Sequence, residues 1–252
     1  MAEREAQIVA GAIAFFSRHG LDGQMRVLAT EVGVTHALLY HYFPTKQALI
    51  ERVYYALCEG RWNVEWEVLL DDPTRDVEDK FNAFYRAYSA TVLTRDFVRV
   101  FMFSGLSDRY ITDRFFTLLR TRLFPRLIRE TRRHCGIVSR RKPSSQEFEL
   151  LMGLHGGIFY TGVRRYIYEQ AAPMLPQPKQ DEDLVLVRDR VHAYLLAARA
   201  ILRAPAGKNS IDGPVAKGTR APSIAVMHGA STVGPASGAV SKPAAKRVLK
   251  GR

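Results

Sequence analysis

Two short apolar stripes meet across a single glycine, and nothing else in the chain restricts its folding as much. Leu28-Ala29-Thr30-Glu31-Val32 leads into Gly33, and Val34-Thr35 then opens the segment His36 to Phe43. Glycine tolerates left-handed backbone, so a chain can leave one helix and enter the next within one tight turn. Ala29 is small enough to let the two helices approach, and Val34 and Leu39 plug the space between them. Thr35 stands where a side-chain oxygen caps the second helix. The spacing predicts a helix from about Met25 to Val32, with Val27, Leu28 and Val32 inward, then a second from His36 to Phe43.

The same period continues on both sides. Ile8, Val9, Ala12, Ile13 and Phe16 form one stripe that stops at His19-Gly20; after Pro44-Thr45, Leu49, Val53 and Leu57 form another. Further helices are expected through Phe81 to Tyr88 after Pro73-Thr74, and from Arg95-Asp96 through Phe103. Another should run from about Ile111 into Arg129–Arg133, interrupted at Pro125. A long one should follow the loop Lys142-Pro143-Ser144-Ser145-Gln146-Glu147 and reach Tyr168 or so. Pro173, Pro176 and Pro178 mark a linker before a last helix, with Asp181-Glu182-Asp183 at its start and Arg199 and Arg203 at its end. No segment alternates convincingly as a strand would. The expected class is all-α, divided into a head (1–60), a helical body (61–203) and a tail (204–252).

Charge needs locating before it is interpreted. The formal net charge is +12, but residues 1–60 carry −1 and the tail carries +7. The overall basicity therefore says little about the head. Ten Ala, seven Gly and five Pro with no aromatic residue make 204–252 read as a disordered basic tail. It is a solvated appendage or, through Lys242, Lys246, Arg247 and Lys250, an added attraction to phosphates. Two cysteines, Cys58 and Cys135, cannot make a disulfide framework. The uncharged run Leu150–Val163 is too short and too glycine-rich to span a bilayer. A cytoplasmic chain without membrane attachment is the expectation.

The second short helix offers Thr35, His36, Ala37, Tyr40, His41 and Tyr42 as accessible groups and no acid. An ordinary solvated helix favours Glu and Lys there, whereas a phosphate-lined groove favours this composition; the plainer reading is that the aromatics merely pack. The run Val34-Thr35-His36-Ala37-Leu38-Leu39-Tyr40-His41-Tyr42-Phe43-Pro44-Thr45-Lys46-Gln47-Ala48-Leu49 resembles the signature of the TetR family of one-component bacterial regulators. The turn Gly, cap Thr, Leu-Tyr-x-Tyr-Phe pattern and following Lys all match. The resemblance covers residues 5–60; beyond them it lies mainly in length and in the succession of helices. The family usually opens its second helix with Thr or Ser, where this chain has Gln24-Met25.

The resemblance implies a homodimer whose first three helices bind double-stranded operator DNA. It implies equally a variable helical domain that holds a small-molecule effector. Carried over by position, Thr35 meets a phosphate, and His36, Ala37 and Leu38 face base edges. Tyr40, His41 and Tyr42 grip the sugar–phosphate backbone, Lys46 meets a phosphate at the next helix start, and Arg26 aligns with a guanine contact. Leu38 stands where the family commonly has a polar or small residue. The stripe Gly153, Gly157 and Thr161 suits a close helix contact, within one subunit or, as the resemblance implies, across a dimer. For an apolar or aromatic effector the candidates are Phe84, Tyr88, Phe101, Phe116 and Phe159, residues that serve as plain core otherwise. The implied role is that of a repressor.

Catalysis is the competing class. The sequence contains no Gly-x-Ser-x-Gly, Gly-x-Gly-x-x-Gly, phosphate-cradling loop or His-Glu-x-x-His, and neither His155 nor His192 has a metal-ligand partner at i+4. No catalytic residue, metal or cofactor is expected. The alternative is a helical enzyme or thiol-based redox sensor centred on Cys135, where Arg132, Arg133, Arg140, Arg141 and Lys142 would lower the thiol pKa.

Overall fold

The computed structural model describes residues 2–168 and 180–203, with only the backbone of 180–183. The expected proline linker and basic tail lie outside the described residues. Among the latter every regular element is helical, as the periodicities require.

The head comprises α1 (Ala2–His19), α2 (Met25–Val32), α3 (His36–Tyr42) and α4 (Lys46–Leu57). Each boundary has a local cause. Gly20 follows α1 at φ 77°, and Gly33 closes α2 at φ 72° with its N–H returned to Ala29 and Thr30 carbonyls. The Thr35 hydroxyl accepts from the Leu38 N–H at 3.1 Å, and that of Thr45 from Ala48 at 3.0 Å, so α3 and α4 both begin capped. Ile8, Ala12, Phe16, Leu28, Ala29, Leu39, Leu49 and Val53 meet in the core. Val27 does not: it is 45 % exposed. The buried stripe of α2 is Met25, Leu28 and Ala29 with Val32 partly covered, and Val27 lies about 100° round the helix from Leu28.

A 3₁₀ turn at Glu59–Arg61 joins the head to the body, which runs α5 (Glu65–Asp71), α6 (Val77–Val92), α7 (Arg95–Leu106) and α8 (Tyr110–Leu118). A π turn at Leu119–Leu123 leads into α9 (Phe124–His134), followed by α10 (Ser145–Tyr166) and α11 (Gln180–Leu202). The widened turn comes just before Pro125. Proline has no N–H for an i−4 carbonyl and its ring crowds that carbonyl, so the helix loosens there without ending. Ser144 and Glu147 form the reciprocal cap of α10.

Helix α5 has no counterpart in the periodicity reading. Only Trp66 and Leu70 of its seven residues are buried, one i,i+4 pair, which leaves no repeating pattern to detect. Its end is held from afar. Lys80, wholly buried on α6, donates to the Leu70 carbonyl at 2.9 Å and the Asp72 carbonyl at 2.7 Å, and pairs with buried Glu130 of α9.

Head and body share one continuous core through α1 against α7. Arg99 of α7 marks the junction. Its Nε donates to the Ser17 carbonyl at the end of α1 (2.6 Å), and its Nη1 to the Tyr166 carbonyl at the end of α10 (3.3 Å). Beside it, Phe103 lies against Gly20, where a Cβ would come within 3.3 Å of the ring. No helix among the described residues is long and apolar enough to cross a membrane.

Candidate nucleic-acid interface and effector cleft

Helix α3 is built as a presented surface. Leu39 is fully buried and Phe43 nearly so, anchoring one side. Thr35, His36, Ala37, Tyr40 and His41 are exposed; Leu38, Tyr42 and Lys46 are half-buried. The His36 and Tyr40 rings meet edge-on at 4.7 Å between centroids, an i,i+4 contact that stiffens the exposed side, and His41 meets Tyr42 likewise at 5.6 Å. The Thr35 oxygen accepts from Leu38 in its cap, which leaves the hydroxyl proton to donate outward. Lys46 opens α4 one residue after the Thr45 cap, so a cation stands at a helix N-terminus. Arg26, at the start of α2, is exposed and holds no ion pair among the described residues.

Two of the head's acids are paired within the head. Glu31 is tied to Arg18 at 2.6 Å and to His19 at 3.2 Å, and Glu5 to Arg52 at 2.9 Å. The acid of α2 is thus neutralised from α1, and α3 has none. A capped helix projecting polar aromatics, imidazoles and a hydroxyl beside a cation has the chemistry of a duplex-groove reader.

The five aromatic residues expected at an effector site divide between two packed clusters. Phe84 and Tyr88 are buried with Trp66, Tyr85 and His155; the Tyr88 hydroxyl meets His155 Nε2 at 3.4 Å. Burial pushes the His155 imidazole down to about 4, which keeps it neutral. Phe101, Phe116 and Phe159 cluster with Phe97 and Phe115. None of the five lines the body's cleft of about 450 Å³, which opens between α6, the start of α7, α10 and α11. Its walls carry Arg86, Ser89, Leu93, Thr94, Arg95, Ile158, Arg165, Tyr166 and Val187, among others. Periodicity could not nominate these residues, since they come together only through the packing of distant helices. At Gly162, also in the lining, a Cβ would lie 2.9 Å from Val98, so the glycine permits α10 to close on α7.

The small-residue stripe of α10 is partly engaged within the chain. Arg190 of α11 donates to the Gly157 carbonyl at 2.5 Å and the Thr161 hydroxyl at 2.6 Å, while a Cβ on Gly153 or Gly156 would meet open space. Tyr160, Leu184, Val185 and Leu196 leave apolar surface exposed on α10 and α11.

The alternative reading, a reactive thiol at Cys135, is not supported by its surroundings. The thiol is wholly buried, and burial pushes its pKa up, outweighing Arg203 and Arg199. The Arg203 guanidinium donates to the Cys135 carbonyl, where it caps the end of α9. The basic neighbours in sequence therefore make no reactive thiolate. Among the described residues no group of His, Cys, Asp and Glu is disposed to hold a metal.

The fold is a helix-turn-helix head followed by a helical body. Residues 8–53 match the model of the bacterial regulatory proteins, tetR family, so this segment of the chain is similar to that family. Solved structures extend the likeness of fold to the body. A TetR-like transcriptional regulator from Rhodococcus sp. RHA1 is 18 % identical with a TM-score of 0.58, covering 78 % of this chain and 97 % of that one. A putative transcriptional regulator from Pseudomonas aeruginosa PAO1 is 18 % identical with a TM-score of 0.57, covering 79 % and 93 %. A TetR transcription regulator from Haloarcula marismortui ATCC 43049 is 16 % identical with a TM-score of 0.53, covering 78 % and 98 %. No curated protein matches the chain.

Proposed function

We propose that the protein is a sequence-specific, operator-binding repressor that acts as a homodimer and whose DNA binding is modulated by a small molecule held in the body. The exposed, acid-free side of α3, anchored by Leu39 and Phe43, carries this reading. His36, Ala37 and Leu38 take the base edges. Thr35, Tyr40, His41, Tyr42 and Lys46 take the phosphates, and Arg26 takes a guanine. Exposed apolar groups on α10 and α11 support pairing of two copies through these helices. A two-fold dimer would set two recognition helices about 34–36 Å apart and read a palindrome. Arg99 supports the effector response, because it ties the carbonyl end of α1 to that of α10 across the junction.

The test selects duplexes from a random pool with the wild-type protein and titrates them at several salt concentrations. Replacing Tyr42 and Lys46 together with Ala should abolish measurable binding while helical content is kept. Lys46→Ala alone removes one phosphate-neutralising cation from each subunit and should lower the salt slope of the dimer by about 1.8. His36→Ala should change the preferred bases rather than the slope. Unchanged affinity in the double variant would refute the assignment.

A further inference from the structure

From the cleft between α6, α10 and α11 we infer the chemistry of the effector: an apolar molecule with one carboxylate or phosphate head. This rests on the effector-responsive reading above and narrows it. The volume of about 450 Å³ is within the range of small-molecule sites. Three arginines, Arg86, Arg95 and Arg165, line the cleft, and among the described residues no Asp or Glu does. Arg86 holds no ion pair among the described residues. Arg95 and Arg165 have other contacts, yet each guanidinium presents five N–H donors in a planar fork that one partner does not exhaust. Such forks bind carboxylates and phosphates in bidentate fashion, a recognition that neutral or cationic heads cannot satisfy.

The remaining wall suits a tail. Leu93, Ile158 and Val187 are buried side chains that supply apolar surface to the cleft. The Ser89 hydroxyl, on the same wall, is buried without a hydrogen-bond partner among the described residues. An uncharged aromatic ligand would make no use of the remaining guanidinium donors. The aromatic clusters, the expected place for such a ligand, are filled by their own rings.

Occupancy has a route to the head. Tyr166 lines the cleft, and its carbonyl accepts from Arg99, which also holds the end of α1. An anion drawn to Arg165 pulls on the same last turn of α10.

The test titrates the full chain, without DNA, with decanoate, decyl phosphate, decan-1-ol and decylammonium in a calorimeter. At least one anionic probe should bind at least tenfold more tightly than decanol, and decylammonium should bind weakest. The tighter anion identifies the head. Arg86→Gln and Arg165→Gln, checked for unchanged helical content, should each weaken the anion about tenfold and leave decanol as it was. Equal binding of anion and alcohol, no anion binding, or an Arg86→Gln protein that binds the anion like wild type would each overturn the inference. The selected duplex is then added. An anion that binds but leaves DNA affinity unchanged would uphold the cleft chemistry and sink the effector role. Intact DNA binding with no anion bound would overturn the cleft chemistry and leave the operator-binding reading standing.

Discussion

Thr35 has two tasks that one substitution separates. Its oxygen caps α3 by accepting from Leu38, and its hydroxyl proton is available to a DNA phosphate. A seven-residue helix cannot sustain itself, so the cap matters to whether α3 is formed before DNA arrives. Thr35→Val keeps the shape and loses the acceptor, and should cost about 1 kcal/mol. Thr35→Asp keeps the acceptor and complements the helix dipole, so stability should equal or slightly exceed that of wild type. The new carboxylate would stand on the order of 5 Å from a phosphate. Coulomb repulsion there is about 1–3 kcal/mol for effective dielectric constants of roughly 80 to 20. With the lost hydroxyl donation, DNA affinity should fall at least about tenfold, and less at high salt, where the repulsion is screened. Urea denaturation with a constant m-value measures the first effect, and fluorescence anisotropy on the selected duplex at two salt concentrations the second. A Thr35→Asp protein that folds and binds within twofold of wild type would show that Thr35 does not face the backbone.

Lys80→Met should destabilise the body by about 3–5 kcal/mol, because it removes a buried cation from Glu130 and from the carbonyls closing α5. A loss below about 1 kcal/mol in denaturant would contradict the assigned burial. His155 predicts a pH dependence of definite sign. Its folded pKa, about 4, lies below the ordinary 6.5, so the unfolded chain binds a proton the folded one does not. Stability should be unaffected by His155 above pH 6.5 and fall between 6.5 and 4, by about 3 kcal/mol at most, at roughly 1.36 kcal/mol per unit. In His155→Leu that loss should be absent, and a parallel acid limb in both proteins would refute it. Cys135 should resist iodoacetamide in the folded protein and react in denaturant. Alkylation of the native thiol at the free-cysteine rate would restore the redox alternative.

The amino-acid order alone dictates what is local. Gly20, Gly33, Thr35 and Ser144 act on groups within a few residues, so their backbone demands are written in adjacent letters. The presented side of α3 is legible for the same reason. Its polar residues alternate with Leu39 and Phe43 at helical spacing, and the turn before it allows one crossing. The effector cleft is not legible. On α6, Phe84, Tyr85 and Tyr88 turn inward, while Arg86 and Ser89 beside them, and Leu93 just after, line the cleft. An amphipathic pattern says which residues leave water, but not which helix covers them or where a gap remains. Val27, Cys135 and the Arg99 bridge follow the same rule: exposure, thiol chemistry and helix-to-helix linkage depend on neighbours up to 82 residues away. Those neighbours are chosen by packing volume and burial summed over the body, and no short window of residues contains that information.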